Sequence, residues 1–213
     1  MKVEPAGQTV FTMDLEKSIE NAIEFSDLLL RHGLLGEFYI CGSIVAEHPA
    51  ECKKIARHHI VGGHGFSHES FSRLPVEKQR RLIQKTKMAF AENGLEMPGW
   101  RFPKLSFTAA GLQLLASQGI YDSSFRLAAL RNWNGLYFVR NWLKLIAFDH
   151  IFTMPRPFPN SLLEKPFSAV DIEDKAFFKK QGRLVTHCYN FPEFSGMLEA
   201  FLAARKNNNY NNH

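Results

Sequence analysis

His64 and His68, in the stretch Val61-Gly62-Gly63-His64-Gly65-Phe66-Ser67-His68, have the spacing that most directly suggests chemistry. Two imidazoles four residues apart meet on one side of a helical turn, within reach of one small cation. The glycines ahead of them let the backbone bend sharply and approach a ligand closely. The same spacing also suits two exposed histidines in the first turn of a helix, so the pair needs partners. Asp14, Glu16, Arg101 and His187 are of the types that move protons, hold cations or fix a carboxylate.

The elements that must position these residues are legible in outline. Gln8 to Asp14 is a β-branched and aromatic run that stops on an acidic residue. Ser18 to His32 carries Ile19, Ala22, Ile23, Phe25, Leu28 and Leu29 at helical spacing, with Gly33 as the C-cap. Leu35 to Cys41 reads as a second strand closed by Gly42, and Pro49 opens a helix to about His58. His59 to Gly63 is a short strand that delivers His64. Pro75 starts the longest helix, to about Glu92, and Asn93-Gly94 ends it. Gly99 to Phe102 is a strand that delivers Arg101 and Pro103. Thr108 caps a helix to Gln118, and Ile120 to Asp122 follows as a strand. From about 126 to 160 the pattern is irregular and reads as long loops and short strands. Glu173 to Gln181 reads as a helix, and Arg183 to Cys188 as a buried strand that delivers His187.

Strands alternating with helices imply parallel strands joined by crossovers, with chemistry at the carboxyl ends of the strands. Asp14, His64, Arg101, Asp122 and His187 all fall at such ends, which argues for one site.

Composition narrows the class. The chain has 213 residues, 45% apolar and 22% charged, in the ordinary range for a soluble globular domain. Its 19 phenylalanines suit an aromatic core or a sugar-facing cleft. The net charge of +5 is spread over several segments, and the densest basic run, Lys78 to Lys87, reads as a solvated helix face. No aromatic-plus-basic stripe accompanies it, so no nucleic-acid partner is expected. Cys41, Cys52 and Cys188 are odd in number and lack CxxC spacing, which fits free thiols in a reducing compartment. No stretch has the length of a membrane span and no apolar signal core follows Met1, so a cytoplasmic location is expected.

Five motifs carry a family resemblance. Phe11-Thr12-Met13-Asp14-Leu15-Glu16 comes first, followed by His64-Gly65-Phe66-Ser67-His68 and Gly99-Trp100-Arg101-Phe102-Pro103-Lys104. Gly119-Ile120-Tyr121-Asp122-Ser123-Ser124 and Leu184-Val185-Thr186-His187 complete the set. In this order and spacing they resemble the polysaccharide deacetylases, the NodB-homology group or carbohydrate esterase family four. The first motif is similar to a subgroup that reads Asp-x-acidic. The resemblance covers residues 8 to about 125, and 180 to 192.

It implies an α/β fold, a distorted (β/α) barrel of parallel strands with outer helices. One catalytic domain would span 1–206, with 207–213 as a disordered tail. It further implies a metal-dependent hydrolase that removes N-acetyl groups from an N-acetylated amino sugar or polysaccharide. His64 and His68 match the family's metal-ligand histidines, with zinc the favoured ion and other divalent transition metals also suited. Asp14 matches the general base, His187 the general acid, and Arg101 the arginine that orients the base.

The first motif departs where Leu15 stands in place of a second aspartate. Side chains alternate along a strand, so Leu15 points away and Glu16 returns to the side of Asp14 as the third metal ligand. If the strand ends at Asp14, that alternation fails, and either Asp14 itself is a ligand and the base is unassigned, or the site holds no metal. Lys104-Leu105 stands where many relatives carry Tyr-Gly, which bears on the substrate groove. Two other readings are a metal-free amide hydrolase of the same fold, allantoinase-like, and a non-catalytic carbohydrate-binding homologue. Asp122-Ser123-Ser124 reads as a turn closed by side-chain to backbone bonds. His58 and His59 read as helix-end residues, and Cys188 as a core residue facing away from His187. Trp133, Trp142 and the run Phe152 to Pro159 read as packing at the barrel mouth.

Overall fold

The computed structural model describes residues 10–124, 170–171, 183–189 and most of 191–203. The irregular stretch 126–160, the helix expected over 173–181 and the tail 207–213 lie outside the described residues. So do Trp133, Trp142 and the Phe/Pro run.

Among the described residues seven strands form one sheet: β1 (Val10–Leu15), β2 (Gly36–Ile40), β3 (Ile60–Gly63), β4 (Gly99–Trp100), β5 (Tyr121–Asp122), β6 (Val170–Asp171) and β7 (Arg183–His187). Their order is β5-β4-β3-β2-β1-β7-β6, and every pair is parallel. Among the described residues five helices lie along the chain between β1 and β5: α1 (Ile19–Arg31), α2 (Gly42–Glu47), α3 (Pro49–Ala56), α4 (Val76–Glu92) and α5 (Ala109–Ala116). The expected α/β fold with parallel strands and helical crossovers is what forms. Among the described residues β5 and β6 are the two edges of the sheet.

The alternation of β1 sorts its side chains by chemistry. Phe11, Met13 and Leu15 face the helical layer and share a buried core with Phe38, Ile40, Val61 and with Ala22, Phe25, Leu28 and Leu29 of α1. Thr12 and Asp14 face the other way, in register with Glu37 and Tyr39 of β2, and all four are buried. A second core packs Trp100 and Phe102 against Phe71, Ile83, Leu112 and Leu115. There the Phe71, Trp100 and Phe102 rings meet edge to face at 5.1–5.9 Å. The helical face is therefore dry and apolar, and the inner face of the central strands carries polar groups.

Two local expectations change. Gly42 does not merely close β2; it starts α2, a short helix that the sequence pattern does not announce. A Cβ at Gly42 would lie 2.8 Å from the Phe66 ring and 3.1 Å from the Cα of Thr86. Only a glycine lets α2 sit this close to α4 and to the loop after β3.

His59 is more than a helix-end residue. It is buried, its Nδ1 accepts the Gly36 N–H at 3.1 Å, and its Nε2–H donates to the Ser26 carbonyl at 3.3 Å. Both bonds together require the neutral Nε2–H tautomer. Burial holds its pKa below the ordinary 6.5. The unfolded chain then takes up this proton first as the pH falls, so stability is complete above about pH 6.5 and declines below it. His59→Ala is expected to lower the unfolding free energy at pH 8 by about 1–3 kcal/mol, because it orphans the buried Gly36 N–H. In urea titrations repeated at lower pH, the gap to wild type should narrow by at most about 1.4 kcal/mol per pH unit.

Candidate functional site

Asp14, near the carboxyl end of β1, meets a guanidinium that comes from three strands away in the sheet. Arg101 follows β4 directly, and its Nη1 donates to Asp14 Oδ1 at 2.5 Å and to Thr12 Oγ1 at 3.0 Å. Its Nη2 donates to Ser123 Oγ at 2.9 Å, and its plane lies 4.0 Å from the centre of the Tyr39 ring. Arg101 is 0% exposed and Asp14 5%. Burial alone would push the Asp14 carboxyl up. The Arg101 charge, followed by His64 and His187, more than reverses that and holds it below its ordinary range. Asp14 is therefore a fixed, ionised carboxylate whose second oxygen, Oδ2, is turned toward two imidazoles. His64 Nε2 and His187 Nε2 each lie 3.9 Å from it.

The tautomer of His64 is set by its other nitrogen. Nδ1 lies 2.8 Å from the Arg101 carbonyl, which can only accept, so Nδ1 carries the hydrogen. Nε2 is left with its lone pair facing the site. Burial keeps the His64 pKa below its ordinary value, and burial, with His64 and Lys104 nearby, takes His68 down to about 4. Both rings are then neutral near pH 7, the state in which imidazole binds a metal.

Glu16 supplies the third donor. β1 runs through Leu15, whose side chain is 0% exposed in the apolar core, so the alternation carries one residue further and brings Glu16 back to the side of Asp14. Glu16 Oε2 lies 3.2 Å from His68 Nδ1, and burial raises its carboxyl pKa. Ligand atoms of Glu16, His64 and His68 all lie within 4.8 Å of one another. Two neutral imidazoles and a carboxylate make a donor set that fits zinc or a similar divalent transition metal.

The structure thus brings together all six residues singled out in the sequence, but not by the local route expected. His64 and His68 do not share a helical turn. β3 ends at Gly63, and the loop beyond it bends through left-handed residues at Gly65 (φ 75°) and His68 (φ 62°). The ring centroids come to 5.1 Å through that turn.

Sequence reasoning missed the supports. Thr12 and Ser123 hold Arg101, and Ser124 Oγ accepts the Phe102 N–H at 2.5 Å. The two serines of Asp122-Ser123-Ser124 thus tie β5 to the segment after β4. No local pattern announces this, because the partners are 22 residues away. Lys104 and Leu105, where the third motif departs from many relatives, are both left-handed (φ 56° and 51°).

The polysaccharide deacetylase family model matches residues 6–122, more than half of the chain, and the chain belongs to that family. No curated protein sequence matches it significantly. Among solved structures, it is similar to a family 4 carbohydrate esterase from Streptomyces lividans in complex with acetate. That match has a TM-score of 0.62 and 15% identity, over 94% of this chain and 90% of the other. It is also similar to the Bc1960 peptidoglycan N-acetylglucosamine deacetylase, with a TM-score of 0.57 and 15% identity over 94% and 83% of the two chains. A third is a mutant with restored enzymatic activity of BA3943, a family 4 pseudoenzyme from Bacillus anthracis. That match has a TM-score of 0.61 and 15% identity, and covers 97% of this chain but only 65% of the other. At these identities the likeness establishes the fold.

Removing one member of the central ion pair leaves a buried charge without its partner. Arg101→Ala is expected to lower the unfolding free energy by about 3–5 kcal/mol. Adding Asp14→Ala should cost less than the sum of the two single changes, as read from a double-mutant cycle in urea.

Proposed function

We propose that the protein is a metal-dependent hydrolase that removes N-acetyl groups from an N-acetylated amino sugar or polysaccharide. One observation carries this reading. A buried, ionised carboxylate presents its second oxygen 3.9 Å from each of two imidazole Nε2 atoms, beside a cluster of Glu16, His64 and His68 donor atoms. Membership of the polysaccharide deacetylase family supports it. So do the names of two structural neighbours, an esterase of carbohydrates and a peptidoglycan deacetylase. The catalytic domain in this reading spans 1–206.

Each residue has a distinct task. Glu16, His64 and His68 would hold the metal. Arg101 occupies Oδ1 of Asp14, which leaves Oδ2 to accept a proton from the attacking water. A carboxylate held below its ordinary pKa is a weak base toward ordinary water. A divalent cation bound next to it would make water more acidic and polarise the acetyl carbonyl. His187 Nε2, on the other side of Oδ2, donates a proton to the departing amine nitrogen. The amide C–N bond breaks, a C–O bond to the water oxygen forms, and acetate and a free amino sugar result. Among the described residues no helix is long and apolar enough to cross a membrane.

Incubation with a chito-oligosaccharide is expected to release acetate, and Asp14→Ala or His187→Ala should each slow release about 10²–10⁴-fold. His64→Ala should abolish zinc binding. Full turnover by the Asp14→Ala protein refutes the mechanism. Turnover that survives chelation of metal points to a metal-free amide hydrolase, and oligosaccharide binding without acetate points to a non-catalytic homologue.

A further inference from the structure

The loop that carries both histidines is gripped along its backbone from two sides. On its carbonyl side, three successive groups of the β2–α2 junction meet three successive carbonyls. The Cys41 thiol donates to the His64 carbonyl at 3.2 Å, the Gly42 N–H to that of Gly65 at 3.0 Å, and the Ser43 N–H to that of Phe66 at 2.9 Å. On its amide side a single atom does the work. Glu69 Oε2 accepts the Phe66 N–H and the Ser67 N–H, both at 3.0 Å. The loop is wrapped so closely that a Cβ on Gly65 would lie 3.0 Å from that oxygen and 2.9 Å from the Pro103 ring.

We propose that Glu69 is a positioning residue for the cluster of Glu16, His64 and His68, setting its affinity for a divalent cation. The proposal rests on reading that cluster as a metal centre. Consecutive amides that converge on one anion form a nest, here filled by the chain's own carboxylate. The residue that needs this support is His68, whose φ of 62° is unfavourable for any side chain bearing a Cβ. Such a conformation persists only where its surroundings over-determine it. The two bonds to Glu69 fix the residues immediately before His68, so its ring is delivered 3.2 Å from Glu16. Without them the carbonyl side of the loop would still be docked at 64–66, and His64 would keep its bond to the Arg101 carbonyl. His68 alone would lose its aim. Glu69 therefore separates the two histidines functionally: His64 is placed by the sheet, and His68 by Glu69.

The test is zinc affinity of the purified chain, measured by competition with a chromogenic chelator, in wild type, Glu69→Ala, Glu69→Gln and His64→Ala. Outer-sphere supports of metal ligands typically change affinity 10–100-fold, and Glu69→Ala should weaken zinc binding by about that factor. Glu69→Gln, which keeps a side-chain oxygen able to accept both amides, should recover most of the loss. Urea unfolding of the metal-free variants checks that each is folded. Amide exchange at Phe66 and Ser67 in metal-free protein should quicken in Glu69→Ala and not in Glu69→Gln. Wild-type zinc affinity in Glu69→Ala overturns the proposal, and so does an equal loss in both variants, which would make charge and not the two bonds responsible. If the wild type itself binds zinc no better than His64→Ala, the metal-centre reading fails and takes this proposal with it.

Discussion

The buried pair of Arg101 and Asp14 is the constraint around which the rest of this site is arranged. A guanidinium with no solvent exposure carries a desolvation cost of several kcal/mol, and one carboxylate does not offset it. The inner face of the sheet is built accordingly. Thr12, Ser123 and the Tyr39 ring surround the guanidinium with acceptors and a π face. Those residues come from three different strands or their ends, so the ion pair also ties β1, β2 and the β4–β5 end of the sheet together. The same residue reaches the histidine by its backbone, where the Arg101 carbonyl fixes the hydrogen of His64 on Nδ1. One arginine thus sets the ionisation of the carboxylate with its side chain and the tautomer of the imidazole with its main chain.

Much of this was legible because it follows from the period of a strand. Alternation along β1 places Leu15 in the apolar core and returns Glu16 to the side of Asp14, and the rule holds because β1 continues one residue past Asp14. Had the strand stopped at Asp14, nothing in the alternation would have returned Glu16 to that side. The departure from a two-aspartate motif is therefore geometric as well as chemical. A longer side chain, one residue later on the same face, reaches His68 at 3.2 Å. Placement of His64, Arg101 and His187 at strand ends was legible for the same reason, since crossover helices force parallel strands to present their carboxyl ends together.

What was not legible is non-local or left-handed. An i, i+4 pair of histidines carries the same spacing on a helix or in a loop. Only the positive φ at Gly65 and His68 tells the two apart, and no residue type announces a left-handed histidine. Gly42 looks like a strand terminator until Phe66 and Thr86 are seen pressed against its Cα. Ser123 and Ser124 look like turn residues because their hydroxyls have ready local partners in any sequence reading. In the fold they are spent on Arg101 and Phe102 instead. His59, beside the polar His58, looks like a helix-end residue until the backbone of Gly36 and Ser26 claims both ring nitrogens.

The two oxygens of Asp14 are unequal, which would let one carboxylate serve both the fold and the proposed chemistry. Oδ1 is committed to Arg101, so the fold is secured without Oδ2. Oδ2 has no comparably close partner among these groups, with His64 and His187 each at 3.9 Å, too far for a hydrogen bond. An oxygen held in that position is not neutralised by a short bond and is not free to swing away. Its two neighbours differ in what they can offer. His64 has its Nδ1 hydrogen committed to a carbonyl, so Nε2 can offer a lone pair, whereas among the described residues His187 Nδ1 has no hydrogen-bond partner. In the proposed reaction that asymmetry around Oδ2 suits two separate roles, His64 offering a lone pair to a cation and His187 a proton to the departing amine.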